Sequence, residues 1–256
     1  MSMTSCTDLD TTEGVLMKQF IVDDSFWQIF PMAQLGVVVA TGLKTPHELS
    51  HEDKAAIHSL LVHANLKAET WIEDPQISKN SVIAVWREAY QKFKTKKGAR
   101  ASIENLLKRV SKGNPIGDIT PLVDIYNACS LRYALPFGAE DVDSFVGNLV
   151  LTITDGGDEF DPLGEGSDPT LPGELAYLDD TGAVCRCLNW RDGQRTAITD
   201  TTRNAFIVTE CVDPKRTQEM AEALCQLATL IEKHLGGTIY TQTCISSEKR
   251  SCILAE

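Results

Sequence analysis

Four apolar runs, GNLVLTIT (147–154), GELAYL (173–178), AVCRCLNW (183–190) and NAFIVTE (204–210), decide the fold class of this chain. Each run is short, and Gly, Pro and Asp residues lie between them, a pattern typical of strands joined by turns. Residues 18–22, 34–42 and 238–245 have a similar strand-like composition. The sequence therefore predicts a β-rich half, with further strands near both ends of the chain.

Five other segments repeat their apolar residues at helical spacing, and they begin near Ser50, Ser81, Ser102, Thr120 and Pro214. Ser50 and Asp53 resemble a capping box, and Thr120 before Pro121 is typical of an N-cap followed by proline at the first helical position. Gly113 and Gly236 are expected to end two of these helices. Strands and helices together predict an α+β fold.

The length and composition predict a single globular domain at residues 15–256, preceded by a flexible acidic segment at residues 1–14. That segment lacks the basic start and the apolar run of a secretory signal, and no later stretch is long enough to span a membrane. We therefore expect a cytoplasmic protein with no membrane partner. Its eight cysteines, scattered singly apart from Cys185 and Cys187, are expected to be reduced thiols.

Charge is distributed unevenly along the chain, whose formal net charge is −12. Between Trp86 and Gly113 there are nine Lys or Arg and two Glu, a local balance of +7. Residues 138–182 contain twelve carboxylates and neither Lys nor Arg. This uneven charge distribution is compatible with a basic contact face for nucleic acid. A solvated helix face without a partner explains it equally well.

The sequence contains no familiar metal, phosphate or nucleophile motif. Cys185 and Cys187 would lie on the same side of a strand, but the five histidines are distant in sequence and zinc needs four well-placed ligands. Gly156-Gly157 lacks the context of a phosphate loop, and no Ser or Cys occupies an elbow motif. We therefore expect no metal and no cofactor. A hydrolase of this kind would stabilise a developing oxyanion with Asn, Arg and backbone donors.

Two blocks contain the candidate site residues: PLVDIYNACSLRYALPFGAEDVD (121–143) and LNWRDGQRTAITDTTRN (188–204). Asn127, Asn189 and Arg191 have the hydrogen-bonding chemistry of an anion or carbonyl clamp. In a strand, Asn189 and Arg191 would project to one face and Trp190 to the other. Taken singly, the three polar residues also fit a helix-terminal Asn, a turn Asn and a surface ion-pair Arg.

The two blocks resemble the tRNA-binding editing domain of the β subunit of phenylalanyl-tRNA synthetase. The family's Val-Asp-hydrophobic-x-Asn segment, its Pro and its Ala-x-Asp run are matched by residues 123–127, Pro136 and residues 138–141. Its Gly-rich turn, its Thr-Asp-x-Thr-x-Asn stretch and its strand ending in Glu are matched by Gly193, residues 199–204 and Glu210. This resemblance implies a β-rich, barrel- or sandwich-like sheet with packed helices, and an editing-domain-like core at about residues 102–213.

This chain departs from the family pattern at positions that would shape the pocket. Gly138 occupies a position where the family commonly has His. Gln194 occupies a position where the family has a Glu that recognises the hydroxyl of misattached tyrosine. Tyr126 replaces a smaller Thr, and residues 189–191 replace a Gly-containing stretch, as expected of a free-standing branch. The resemblance therefore implies a different aminoacyl group, or a related ester or amide, as substrate.

On this basis we expect a trans-acting editing factor that hydrolyses the ester of mischarged aminoacyl-tRNA, with Asn189 and Arg191 as catalytic residues. Substrate contacts are expected from Tyr126, Asn127, Pro136, Gly138, Glu140, Trp190 and Gln194. The tRNA, approaching with its acceptor end, is expected to meet Lys94, Lys96, Lys97, Arg100, Lys108 and Arg109. Two alternatives remain: a module that binds tRNA or an amino acid without chemistry, and a small-molecule hydrolase.

Overall fold

The structure is a computed structural model that describes residues 17–255. The acidic segment expected at residues 1–14 lies outside the described residues. The strands are β1 (Lys18–Val22), β2 (Gln34–Thr41), β3 (Phe137–Asp141), β4 (Leu149–Ile153), β5 (Leu175–Asp179), β6 (Gly182–Arg186), β7 (Arg191–Asp192), β8 (Ala205–Cys211), β9 (Thr238–Ile245) and β10 (Ser251–Ala255). The α-helices are α1 (Asp24–Ile29), α2 (His51–Ala68), α3 (Ser81–Ala89), α4 (Ser102–Val110), α5 (Pro121–Tyr133) and α6 (Thr217–Leu235).

The strands form two open sheets. A six-stranded sheet has the order β10-β1-β4-β5-β6-β7, and a four-stranded sheet has the order β3-β8-β2-β9. Neighbouring strands are antiparallel except for β1 and β4, which are parallel. The α+β fold is thus confirmed, and neither sheet closes into a barrel.

Aromatic side chains join the two sheets at the centre of the molecule. Phe20 of β1 packs against Phe206 of β8 with ring centroids 5.1 Å apart, and Phe145 contacts the same ring from the segment before β4. Every residue of β8 is buried, because one of its faces contacts the six-stranded sheet and the other contacts helices. A strand covered on both faces needs an almost continuous apolar run, which β8 has.

Helices α5 and α6 cover the outer face of the four-stranded sheet. Ile125 of α5 and Leu224 and Leu227 of α6 belong to a second apolar cluster with Val38 and Ile207 of the sheet. Helix α2 packs in turn against α5. The site blocks are therefore fixed between a rigid sheet and a helical layer.

Several predicted helix boundaries are confirmed. The Ser50 hydroxyl accepts from the Asp53 N–H at 3.0 Å, and Gly236 ends α6 in the left-handed region with φ 65°. Thr120 occupies the N-cap position before Pro121, but its hydroxyl makes no capping hydrogen bond. Within residues 17–255, none of the helices combines the length and apolar character needed to cross a membrane.

Candidate functional site

The two sequence blocks lie side by side between the sheets. Main-chain pairing joins Glu140 to Ala197, and the Asp141 N–H donates to the Thr196 carbonyl at 2.7 Å. The Thr196 hydroxyl donates to Glu140 Oε2, also at 2.7 Å. Residues distant in sequence thus share one buried region.

The Asn189 side chain fills the space in front of Gly138. A Cβ atom at position 138 would lie 1.9 Å from Asn189 Oδ1 and 2.7 Å from its Cγ, so only glycine allows this close approach. The cavity that remains between Gly138, Glu140 and Asn189 has a volume of about 10 Å³. Such a volume holds at most about one water molecule. A group larger than a water molecule could occupy this space only if Asn189 moved.

Glu210 holds Asn189 in this position. The Asn189 amide Nδ2 donates to Glu210 Oε2 at 2.6 Å, and the Tyr177 hydroxyl donates to Oε1 at 2.6 Å. Burial raises the pKa of Glu210 to about 7, although the hydrogen bonds from Tyr177 and Asn189 act in the opposite direction. This carboxyl therefore gains or loses its proton near neutral pH.

The prediction that Asn189 and Arg191 share one strand face is wrong. Strand β6 ends at Arg186, and the chain then turns with left-handed backbone at Cys187 (φ 54°) and Asn189 (φ 48°). The alternation of a strand does not apply across such a turn. The Ser102 N–H donates to the Asn189 carbonyl at 3.1 Å, and the Tyr90 hydroxyl donates to the Leu188 carbonyl at 2.8 Å. Helices α3 and α4 thus fix the turn.

Arg191 points away from Gly138 and toward the loop at residues 154–174. Its guanidinium forms an ion pair with Glu165 and lies 4.0 Å from Asp168. The same group stacks over the ring of Trp190, 5.5 Å from its centroid. Trp190 and Arg191 therefore lie at the surface beside the cavity, and neither belongs to its lining.

The prediction that Gln194 shares a pocket with Asn189 is also wrong. Gln194 is exposed and lines a separate surface hollow of about 470 Å³ with Phe160, Asp161 and Arg195. Its N–H donates to the Asp161 carbonyl at 2.7 Å, which keeps residue 194 on the loop side of β7. The buried acceptor beside Asn189 is Glu210, which the family pattern matches as the Glu that ends a strand.

The remaining predicted substrate contacts are divided between the cavity and its surroundings. Tyr126 of α5 lies near two acids: its pKa is raised by burial first, and then by the negative charges of Asp192 and Glu140. Asn127 and Pro136 are buried, but neither is part of the cavity lining. The structure therefore brings together Gly138, Glu140 and Asn189, with Tyr126 adjacent.

Several side chains of the predicted basic segment make contacts within the fold. Arg87 and Arg100 both reach Glu104, whose side chain is 1% exposed, and the Arg100 contact measures 3.5 Å. Arg109 donates to the Pro115 carbonyl at 3.2 Å, and Lys108 is half-buried beside it in the last turn of α4. Arg100 is thus held within the fold, whereas Arg109 stays exposed and keeps its charge.

Three lysines remain exposed next to the second block. Lys94, Lys96 and Lys97 are all exposed, and Lys96 forms an ion pair of 2.7 Å with Asp168. Because Asp168 also faces Arg191, the lysine segment and Arg191 belong to one continuous surface. This surface lies beside the turn that carries Asn189.

Sequence reasoning missed the acidic groups that surround Cys185. Within residues 17–255, Glu140, Cys185 and Asp192 each place one possible metal-ligand atom within 4.8 Å of the others. The expectation that Cys185 and Cys187 face the same side is wrong, because the turn directs the Cys187 Sγ to Glu174 at 3.4 Å. The period-two pattern of β6 would have indicated that Cys185 faces inward, but no local signal pairs it with Glu140.

Residues 85–234 match the family described as the B3/4 domain, a family of phenylalanyl-tRNA synthetase β subunits. A crystal structure of an N-terminal fragment of the phenylalanyl-tRNA synthetase β subunit from Pyrococcus horikoshii is 12% identical, with a TM-score of 0.46. That match covers 86% of this chain and 49% of the other, so the chain spans about half the length of the fragment. No curated protein matches the chain. Because the family match extends over more than half of its residues, the protein belongs to the B3/4 domain family.

Proposed function

We propose that this B3/4 domain acts on aminoacylated tRNA in trans and hydrolyses the ester of a mischarged aminoacyl group. The observation that carries the proposal is the buried Asn189-Glu210-Tyr177 network at the junction of the two blocks. A carboxyl with a pKa of about 7 suits general acid–base work at neutral pH. Family membership supports a role connected with tRNA synthetases.

In the proposed reaction, Glu210 takes a proton from the attacking water and returns it to the 3′ oxygen that leaves the acyl group. Asn189, released from Glu210, donates its amide hydrogens to the oxyanion that forms on the carbonyl. Entry of the ester displaces the Asn189 side chain from Gly138, where the missing Cβ leaves room for the acyl group. Arg191 and the exposed lysines contact the phosphates of the acceptor end.

A second candidate function is tRNA binding without turnover. The observation that favours it is the cavity of about 10 Å³, which Asn189 occupies and which Glu210 and Tyr177 hold closed. In that account the exposed lysines and Arg191 bind the tRNA, and the buried network only stabilises the fold. The two candidates differ in one measurable property, ester turnover.

The test is a single-turnover deacylation assay with a panel of mischarged tRNAs and an excess of the full chain. We expect faster-than-spontaneous hydrolysis of at least one member, with a loss of about 100-fold or more in Glu210→Gln. Glu48→Gln is the matched control, because Glu48 is a half-exposed carboxylate paired with Arg203 away from the site. Turnover that is unchanged in Glu210→Gln would overturn the assigned role.

Binding of the same tRNAs separates the alternatives. We expect an affinity that falls with salt, and a smaller salt slope when Lys94, Lys96 and Lys97 are replaced by Gln. Salt-dependent binding without hydrolysis of any panel member would replace the editing proposal with the binding module. Absence of binding even at low salt would leave the small-molecule hydrolase.

A further inference from the structure

An acid–thiol cluster combines residues from three strands, and two of its members, Glu140 and Cys185, line the cavity. Glu140 comes from β3, Cys185 from β6 and Asp192 from β7, and one ligand atom of each lies within 4.8 Å of the others. In a tetrahedral zinc site, with bonds of about 2.0–2.3 Å, ligand atoms are about 3.5 Å apart. Side-chain rotations that move each ligand atom by about 1 Å would bring the three atoms to that spacing.

One oxygen of this cluster is buried without a partner. Glu140 is 4% exposed; its Oε2 accepts the Thr196 hydroxyl, but its Oε1 accepts no hydrogen bond. A buried carboxylate oxygen in this state costs free energy, and native proteins rarely leave one unpaired. The oxygen therefore points to a ligand that supplies the missing contact.

The charge around the cluster is also uncompensated. The positive charge that acts on Glu140 comes from Arg195, whose guanidinium is bound by both oxygens of Asp179 at 2.7 and 2.8 Å. Arg195 is therefore already paired with a carboxylate outside the cluster. Two further groups lie near Asp192, the Glu210 carboxyl on β8 and the Tyr126 hydroxyl on α5.

We propose that Glu140, Cys185 and Asp192 form a binding site for a divalent cation, with zinc as the preferred metal. One thiolate and two carboxylates are ligands that zinc accepts, and a site with three protein ligands leaves a fourth position open. Binding displaces protons from the thiol and carboxyls and pairs the orphaned oxygen of Glu140. The site shares the cavity in which the acyl group is proposed to lie, and its cation binding can be measured without tRNA.

Cobalt provides the direct test, because a cobalt–thiolate bond gives a charge-transfer band in the near ultraviolet. Titration of the full chain with Co²⁺ is expected to produce this band with one equivalent of metal. The band should disappear in Cys185→Ser. Cys187→Ser is the matched control: its thiol is also buried but contacts Glu174 outside the cluster, so the band should persist.

A second variant provides a test if Cys185→Ser does not fold. Asp192→Asn, at a half-buried position, should reduce Zn²⁺ affinity about tenfold or more in competition with a chromogenic chelator. Zn²⁺ binding to the native chain should release protons into a weakly buffered solution. Absence of the cobalt band, or equal loss of the band in Cys187→Ser, would overturn the site. Both readouts are taken without tRNA, so they are separate from the editing proposal.

Discussion

At the scale of single residues, the contact between Gly138 and Asn189 controls access to the cavity. We predict that Gly138→Ala destabilises the protein by about 1–3 kcal/mol, because the added methyl would overlap the Asn189 carboxamide. Urea unfolding measures the change. Gly117→Ala is the control, since a Cβ at that exposed glycine meets no atom within 4 Å.

The double variant Gly138→Ala/Asn189→Gly tests the cause of this loss. Removing the carboxamide removes the overlap, so the double variant should be less destabilised than the sum of the two single variants. The Asn189→Gly change by itself also leaves Glu210 without one of its donors. Strict additivity of the two changes would contradict the contact.

The Glu210 carboxyl should also give the stability a defined pH dependence. Burial raises its pKa from 4.5 to about 7, so between these values the native state holds a proton that the unfolded chain releases. Stability contributed by this group is therefore present below about pH 4.5 and is lost as the pH rises through about 7.

Glu210→Gln should remove that part of the pH dependence. Denaturant unfolding at pH 5 and pH 7.5 should show the native chain losing on the order of 2–3 kcal/mol relative to the variant. Other carboxyls with a raised pKa, such as Asp124 and Glu140, occur in both proteins. Their contributions to the pH dependence therefore cancel when the two proteins are compared. Parallel stability curves for the two proteins would refute the assignment.

At the scale of elements, a buried arginine attaches the loop at residues 154–174 to the end of β6. Arg186 is fully buried, donates to both oxygens of Glu174 at 2.8 and 2.6 Å, and also reaches Asp168 at 2.8 Å. Its guanidinium lies over the rings of Phe160 and Trp190. The loop that pairs with Arg191 is thus positioned by Arg186.

We predict that Arg186→Met destabilises the protein by about 3–5 kcal/mol, because Glu174 would remain buried without its cation. Limited proteolysis should then cut within residues 154–174 earlier than in the native chain. Arg203→Met serves as the control, since Arg203 and Glu48 are each 47% exposed and such pairs contribute about 1 kcal/mol or less. Equal losses in both variants would contradict the anchoring role.

At the scale of the whole molecule, the sequence pattern predicts the layers better than the site. Helix α6 and strand β8 could be predicted because their apolar period and their length were unambiguous. Helix α1 was missed because six residues give too little periodicity. Strand β10 was missed because it is a short edge strand paired with β1.

The site was predicted less well for two physical reasons. Left-handed backbone at Cys187 has no sequence signal, and Asn189 gives only the weak signal of a residue type that is enriched in that conformation. The resulting turn changes the directions in which Asn189 and Arg191 point. Pairing of these buried charges is non-local, so the sequence could not connect Arg87 with Glu104 or Arg186 with Asp168. The family pattern nevertheless pointed to residues 138–141 and to Glu210, which lie in the same region as Asn189.

The central claim is that the junction of the two blocks receives an aminoacyl group from tRNA. Its most direct test is a crystal structure of the full chain with a stable analogue, a 3′-aminoacylamido adenosine. The account predicts that the acyl group lies against Gly138, with the Asn189 side chain displaced from the position it now occupies and Glu210 within hydrogen-bonding distance of the amide. An analogue bound only elsewhere, with Asn189 still closed over Gly138, would contradict it.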